Sequence, residues 1–322
     1  MLAYAVRRLL QAVPTVFGVL LLTFVLFRLL PTDIAEKLAG EGASAQTIAD
    51  LRWAFGLDKP LFFDLDGASR EGIAKLFDSQ FFDHFQRMLT FDFGRSWSTR
   101  RDVWGSLLDG IGPSLALTVP IFFLTLTTAI GLSLFTASRR GSRIDSSLVI
   151  ACVIGMNVPL LSFIIIGQYV FAWRLGWFPV HGFHGPGSVI LPVLIGVTAG
   201  LGGEVRFYRT VMLEEMHQDY VRTARAKGLS GARVLLAHVL PNALLPVATR
   251  VVLALPFLVF GSLLLERFFG IPGAGHLMVE AVTARDYAVV NAMTWLIALL
   301  FVFGNLLTDL CYAWLDPRVT LK

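Results

Sequence analysis

Apolar residues in this chain gather into long runs instead of alternating with polar ones. The first run, Leu9 to Leu30, follows Arg7 and Arg8. Further runs fall at about 113–137, 146–172, 188–205, 246–265 and 291–315. A helix rising about 1.5 Å per residue needs about 20 apolar residues to cross a bilayer core. The pattern therefore predicts an all-α integral membrane protein with six transmembrane helices. A signal-peptide core is only about 7–15 residues long and ends at a small-residue cleavage site. The first run is longer and no A-x-A site follows it, so it reads as an uncleaved helix with its amino terminus in the cytoplasm. The fourth run carries Gly196, Gly200, Gly202 and Gly203, residues that let membrane helices approach closely.

Two polar stretches interrupt the apolar pattern at length. In the first, 31–110, Ile48, Leu51, Arg52 and Phe55 follow a helical spacing. Phe77, Phe81, Phe82, Phe85 and Met88 form a second amphipathic set, so a small helical extracytoplasmic cap is expected. The expected organisation is a first transmembrane helix (1–30), the cap (31–110), a five-helix core (111–315) with a cytoplasmic loop at 206–245, and a cytoplasmic tail (316–322). In that loop Leu213, Met216, Tyr220 and Ala224 share one helical face. Glu214 and Glu215 come early and Arg222, Arg225 and Lys227 late, an order that suits the helix dipole. Gly228 is expected to stop this helix, a second short one to run from Gly231 to Val239, and Pro241 to break the chain before the next span. Such a helix, turn and helix could lie on anionic lipid or dock a cytoplasmic partner.

Composition narrows the class further. Of 322 residues, 55% are hydrophobic and 16% charged, against roughly 25% charged in soluble proteins. Mean hydropathy is +0.68. A soluble globule and a disordered chain are both excluded. The net charge of +4 is sorted by side: thirteen basic residues lie on segments placed inside and only Arg174, Arg267 and Arg285 on the two short outer loops. The long outer segment has 9 basic and 13 acidic residues, but long domains translocate regardless of charge. Both termini are therefore expected in the cytoplasm, and the basic balance reflects topology, not a nucleic-acid partner. Trp173, Trp177, Phe178 and Trp314 fall where an aromatic belt would sit. Cys152 and Cys311 lie in apolar runs and offer no disulfide framework.

Ionisable residues inside apolar runs are candidate functional groups. Arg28, Glu204, Arg250 and Asp309 qualify. Arg28 and Arg250 are near enough to helix ends to snorkel, and Glu204 is placed to pair with Arg206. His181 and His184 form an H-x-x-H with no nearby Cys or Asp to complete a metal site. Ser114, with His217 or His276, is poorly matched for an intramembrane serine protease. The sequence has no G-x-x-x-x-G-K-[ST] string, so no ATP site of its own is expected. No catalytic residue, cofactor or metal is assigned to the chain. A proton-coupled secondary transporter is the alternative class. Paired mid-span acids and an internal repeat would mark it, and neither is seen. A membrane scaffold would have no use for the cytoplasmic loop.

The loop resembles the coupling loop of binding-protein-dependent ABC importer permeases, E-A-A-x-x-x-G, nine residues, then I-x-L-P. Aligned on Gly228, this chain has Arg222, Thr223 and Ala224 at E-A-A and His238 to Pro241 at I-x-L-P. Its string DYVRTARAKGL, Asp219 to Leu229, is the form of the peptide permease branch. Other motifs resemble that branch in the same order: FRLLP (27–31), GLDKPL (56–61), FDFGRSWST (91–99) and Arg285-Asp286-Tyr287. Glu266, Phe269, Pro272, Gly273 and Gly275 fit E-x-x-F-x-x-P-G-x-G, and Asp309, Tyr312 and Asp316-Pro317-Arg318 fit D-x-x-Y-x-x-x-D-P-R. The stretch 62–90 is longer than usual between its flanking motifs.

The resemblance implies a type I ABC importer permease fold in a prokaryotic inner membrane, forming half of a pathway for di- or oligopeptides. Related permeases of the branch carry nickel, opines, glutathione or peptide antibiotics. It implies a second homologous permease, two ATPase subunits that hold ATP and Mg, and an extracytoplasmic substrate-binding protein. Asp219, Tyr220, Arg222, Thr223, Ala224, Arg225, Lys227 and Gly228 would dock the ATPase. Glu266, Phe269, Pro272, Gly273 and Gly275 would line or gate the pathway, as an outward-facing re-entrant or interfacial element.

Overall fold

The computed structural model describes residues 2–29, 34–40, 42–54, 56–65, 67, 69 and 72–315. Apart from a single antiparallel bridge between Arg95 and Asp102, the described residues form helices and loops. Contacts group the chain into two units, Met1–Leu108 with Glu280–Val302, and Asp109–Val279 with Phe303–Lys322.

In the first unit, α1 (Leu2–Leu29) packs on α4 (Gln80–Leu89), with α2 (Ile34–Ala39) and α3 (Ala45–Ala54) between them in sequence. The phenylalanine set builds this contact. Phe24 meets Phe81 at 5.3 Å, and Phe17 meets Phe81 and Phe85 at 5.9 and 6.1 Å. Edge-on aromatic pairs of this kind add about 0.5–1.5 kcal/mol each beyond area burial. Ser79 caps α4 by accepting from the Phe82 amide. Phe77 ends the preceding short 3-10 turn, Ile73–Phe77. Lys59 lies 2.7 Å from Asp78 and 2.8 Å from Asp83. These hydrogen bonds hold the Lys59 ammonium above its usual range and the Asp78 carboxyl below its own. Phe55, the FRLLP motif's Phe27 and Arg28 side chains, and residues 30–31 lie outside the described residues.

Two motifs far apart in sequence meet in this unit. The Asp286 carboxylate accepts from the Ser96 hydroxyl at 2.5 Å and from the Trp97 and Ser98 amides, each at 3.1 Å. Trp97 also stacks edge-on with Tyr287 at 5.6 Å. The FDFGRSWST loop is therefore held by the Arg285-Asp286-Tyr287 corner. Asp286 is 2% exposed, so removing it leaves buried donors unmet. Asp286→Ala is expected to cost about 3 kcal/mol and to lower the melting temperature in detergent; an unchanged melting temperature would contradict this role.

The second unit contains most of α5 (Val103–Ser138), then α6 (Arg143–Asn157), α7 (Leu160–Gly167) with a wider turn over Gln168–Arg174, and α8 (Gly187–Glu215). Next come α9 (Asp219–Ala226), α10 (Gly231–Val234), a π turn over Leu235–Val239, α11 (Leu240–Phe260), α12 (Leu263–Phe269) and α13 (Ala274–Thr283). The last helix is α14 (Tyr287–Leu315). Three described helices are long and apolar enough to cross a membrane: α5, α8 and Tyr287–Leu307 of α14. Three bent helix pairs reach that length only when each is counted as one, giving up to six. In α1 the apolar stretch is Leu10–Leu26, shorter than these.

Several expectations need correcting. The run 146–172 is not one straight helix: its halves meet at 94°. Pro159 disfavours helical backbone at the residue before it, and Val158 is extended. The run 246–265 is broken at Gly261, whose φ is +70°. Pro241 does not break the chain. It stands in the first turn of α11, where a missing N–H costs nothing, and the segment from Gly231 onward bends by 47° between Leu244 and Pro246. The glycine-rich run, by contrast, is one unbroken helix. A Cβ on Gly202 would lie 2.7 Å from the Cys152 carbonyl oxygen, so this glycine lets α8 lie directly on α6.

Candidate functional site

The helix expected in the loop 206–245 does not begin where its periodicity suggested. α8 ends at Glu215, a turn occupies 216–218, and α9 starts afresh at Asp219. Glu214 and Glu215 therefore close the preceding helix and do not serve the α9 dipole. Asp219 supplies the acidic first turn and Arg225 the basic last turn. α9 has two distinct faces. Val221 is fully buried and Ala224 is 5% exposed, packed among Val205, Met212, Val234 and Val239. Asp219, Tyr220, Arg222, Thr223, Arg225, Lys227 and Gly228 are exposed. Ala224 was expected on the docking face; its small side chain instead lets α9 sit close on its own bundle.

Gly228 ends the helix with φ +78°. Its amide donates to the Arg225 carbonyl at 2.9 Å, and the Leu229 amide to the Ala224 carbonyl at 3.4 Å. The Tyr220 hydroxyl donates to Glu215, tying α9 to the end of α8. Burial and this carboxylate push the tyrosine up to about 12, so it stays a neutral donor at physiological pH. The Asp219–Arg222 pair, at 3.3 Å, is exposed on both sides and contributes little. Asp145, at the start of α6, is firmer: it receives both Arg209 Nε at 2.9 Å and Nη2 at 2.8 Å. This two-pronged bond fixes α6 to α8. Sequence reasoning missed it, because nothing local marks residues 64 positions apart as partners.

The E-x-x-F-x-x-P-G-x-G segment forms a second constellation. Glu266 is fully buried and Phe269 is 2% exposed; Gly273 and Gly275 are also buried, and only Pro272 is exposed. The carboxylate does not face an open channel. It accepts from the Ser114 hydroxyl at 2.7 Å, the Ser262 amide at 3.2 Å and the His276 amide at 2.9 Å. Ser114 in turn accepts from the Ala274 amide at 2.8 Å. Glycines make room for this knot. A Cβ on Gly273 or Gly261 would collide with the Glu266 carboxylate, and one on Gly275 would lie 2.8 Å from it. The segments Phe257–Phe269 and Ala274–Thr283 meet there at 69°. The segment expected to line the pathway thus builds a carboxylate cage at a helix bend.

Two of the intramembrane ionisable groups pair differently from expectation. Glu204 binds Arg250 at 2.6 Å, not Arg206, whose guanidinium lies 3.6 Å from the Met156 sulfur. Residues 204 and 206 point about 200° apart around a helix, so sequence neighbours need not share a face. The side chains of Asp309 and Tyr312, and residues 316–318, lie outside the described residues. The His181 ring packs against Gly270, and Gly182 donates to the Phe269 carbonyl at 2.8 Å. Among the described residues, no group of three or more His, Cys, Asp or Glu is placed to hold a metal ion.

Comparison with known proteins agrees with this architecture. Residues 129–321 match the family described as binding-protein-dependent transport system inner membrane component. Residues 1–118 match its N-terminal companion family. A Brucella abortus (strain 2308) protein named as a peptide transport system permease is 35% identical, covering 99% of each chain. The glutathione transport system permease protein GsiC of Salmonella typhimurium is 34% identical, covering 100% of each. With apolar helices long enough to cross a membrane and full-length relatives, the chain belongs to the binding-protein-dependent transport system inner membrane component family.

Proposed function

We propose that the chain is the permease subunit of a prokaryotic ABC importer for peptides or peptide-like solutes, glutathione among them. The relatives' names support that substrate class. It works with a second homologous permease, two ATPase subunits that bind ATP and Mg, and an extracytoplasmic substrate-binding protein. In this reading the chain crosses the membrane six times, which puts both termini on one side; the sorting of basic residues favours the cytoplasm for that side and leaves the aromatic-pinned segment outside. The carrying observation is α9: a short helix anchored by Val221 and Ala224, with a basic, exposed opposite face. Asp219, Tyr220, Arg222, Thr223, Arg225, Lys227 and Gly228 form the docking face. Positive side chains there suit acidic groups in a partner groove.

When ATP closes the ATPase pair, the docked helices move together. α9 is tied to α8 through Tyr220 and Glu215, and α8 to α6 through Arg209 and Asp145. The motion therefore reaches the spans as a rigid-body displacement. A cysteine introduced at Thr223 tests the docking face. Oxidative cross-linking to cysteines placed along the ATPase surface groove is expected to give a permease–ATPase adduct in membranes. Labelling of that cysteine by lipid-phase reagents, with no adduct, would favour a helix lying on lipid and contradict the proposal.

A further inference from the structure

The Glu204–Arg250 pair has more hydrogen-bonding capacity than it uses. It borders a cavity of about 680 Å³ lined by α5, α8 and α11. The walls are mostly apolar, with Ile121, Phe122, Ala254 and Phe257 among them. The charges gather toward one end, where Tyr208 lies beside Glu204 and the Arg250 guanidinium stands 4.7 Å over the Phe207 ring. Glu204 Oε1 takes the ion pair and the Tyr208 hydroxyl lies within reach of this carboxylate, while Glu204 Oε2 is buried with no hydrogen-bond partner of good geometry among the described residues. The Thr125 hydroxyl on the same cavity is also buried, with no hydrogen-bond partner among the described residues. Arg250 leaves 47% of its side chain exposed, although a guanidinium carries five donors.

An ion pair kept only for structure in apolar surroundings needs its remaining hydrogen-bonding positions filled, because desolvating two charges is costly. This one leaves an acceptor oxygen and a fork of donors side by side at the edge of an apolar cavity. We infer that Glu204 and Arg250 form a weak docking point for the charged ends of a peptide in transit. The peptide ammonium takes Glu204, its carboxylate takes Arg250, and its side chains lie against the apolar walls. Substrate binding swaps one ion pair for two, so the charges are never left bare. Affinity stays low because the resting pair competes, and a pathway needs sites that release what they bind. The inference rests on the peptide-type reading above, since it names what this cavity recognises in that substrate class.

The test is saturation-transfer NMR on the assembled permease and ATPase complex in nanodiscs, without receptor. The probes are trialanine, N-acetyl-trialanine and trialanine amide. The wild type is expected to show transfer to trialanine, and blocking either end is expected to weaken it about tenfold, the scale of one lost charge-assisted hydrogen bond. The double variant Glu204→Gln/Arg250→Gln, which strands no lone charge, is expected to reduce trialanine to the level of the blocked peptides. No transfer to trialanine in the wild type, or equal transfer to all three probes, would overturn the inference, whatever the variant does. So would undiminished trialanine transfer in the double variant. Receptor-dependent, ATP-driven uptake of trialanine and glutathione reads the peptide-importer proposal separately. Its failure with end-dependent binding intact would fault that reading and not this site.

Discussion

Gly228→Val is expected to cut ATP-driven uptake at least tenfold while leaving the chain folded in the membrane. Gly228 holds φ +78° with nothing within 4 Å of where a Cβ would sit. The substitution therefore meets no clash, and its cost is confined to the backbone, about 1–2 kcal/mol for a left-handed residue and more for a β-branched one. That is too little to unfold the bundle but enough to reorient α9, because this turn carries the Arg225 and Ala224 carbonyl bonds that end the helix. Uptake should fall at least tenfold, corresponding to about 1.4 kcal/mol of lost coupling, while ATP hydrolysis by the assembled complex persists. Gly228→Asn should be the mildest variant, since asparagine tolerates this backbone region. Paired assays of uptake and hydrolysis check the result. Normal uptake by the valine variant would show that the turn does not transmit the motion.

Gly273→Ala is expected to destabilise the protein severely and to cut its yield in the membrane. Its methyl group would collide with the Glu266 carboxylate and lie 2.5 Å from the Ser114 hydroxyl oxygen. Neither neighbour can swing away, since each is held by hydrogen bonds to the other and to backbone amides. Overpacking of this kind costs about 1–3 kcal/mol or more, and here it also breaks a buried polar network. Glu266→Leu attacks the same knot from the other side. It removes the acceptor for the Ser114 hydroxyl and for the Ser262 and His276 amides. Each stranded donor costs about 1–3 kcal/mol. Ser114→Ala should be milder, because the carboxylate keeps its backbone donors. Membrane yield and melting temperature in detergent should rank the three variants in that order of severity. A glycine or glutamate variant with unchanged melting temperature would show that the cage carries no stability.

The division between what could and could not be read in the sequence follows the range of the interactions. Local signals were legible: the apolar runs, the phenylalanine spacing of α4 and the turn at Gly228 all depend on neighbours within about two helical turns. The start of α9 was not, because Leu213, Met216 and Tyr220 keep helical spacing across a turn that breaks the helix. Ala224 was assigned outward because a small residue permits close approach in either direction, and only packing shows which. Glu266 was legible as a marked position but not as a caged one. Its donors come from residues 114, 262 and 276, and the role of Gly261 and Gly273 appears only when the carboxylate is seen between them. Asp286 and the FDFGRSWST loop were separate motifs until the fold joined them across 190 positions. Pro159 and Gly261 stand inside apolar runs that read as continuous, so the bends at these positions were not legible.

Transport dependence distinguishes an ATPase-coupled permease from a self-sufficient carrier most directly. The chain would be reconstituted in vesicles alone, and again with its partner permease, both ATPases and the substrate-binding protein. The complete assembly is expected to take up peptide only with ATP, and the chain alone to take up none under a proton gradient. Peptide uptake by the chain alone, driven by that gradient, would contradict ATPase coupling through α9.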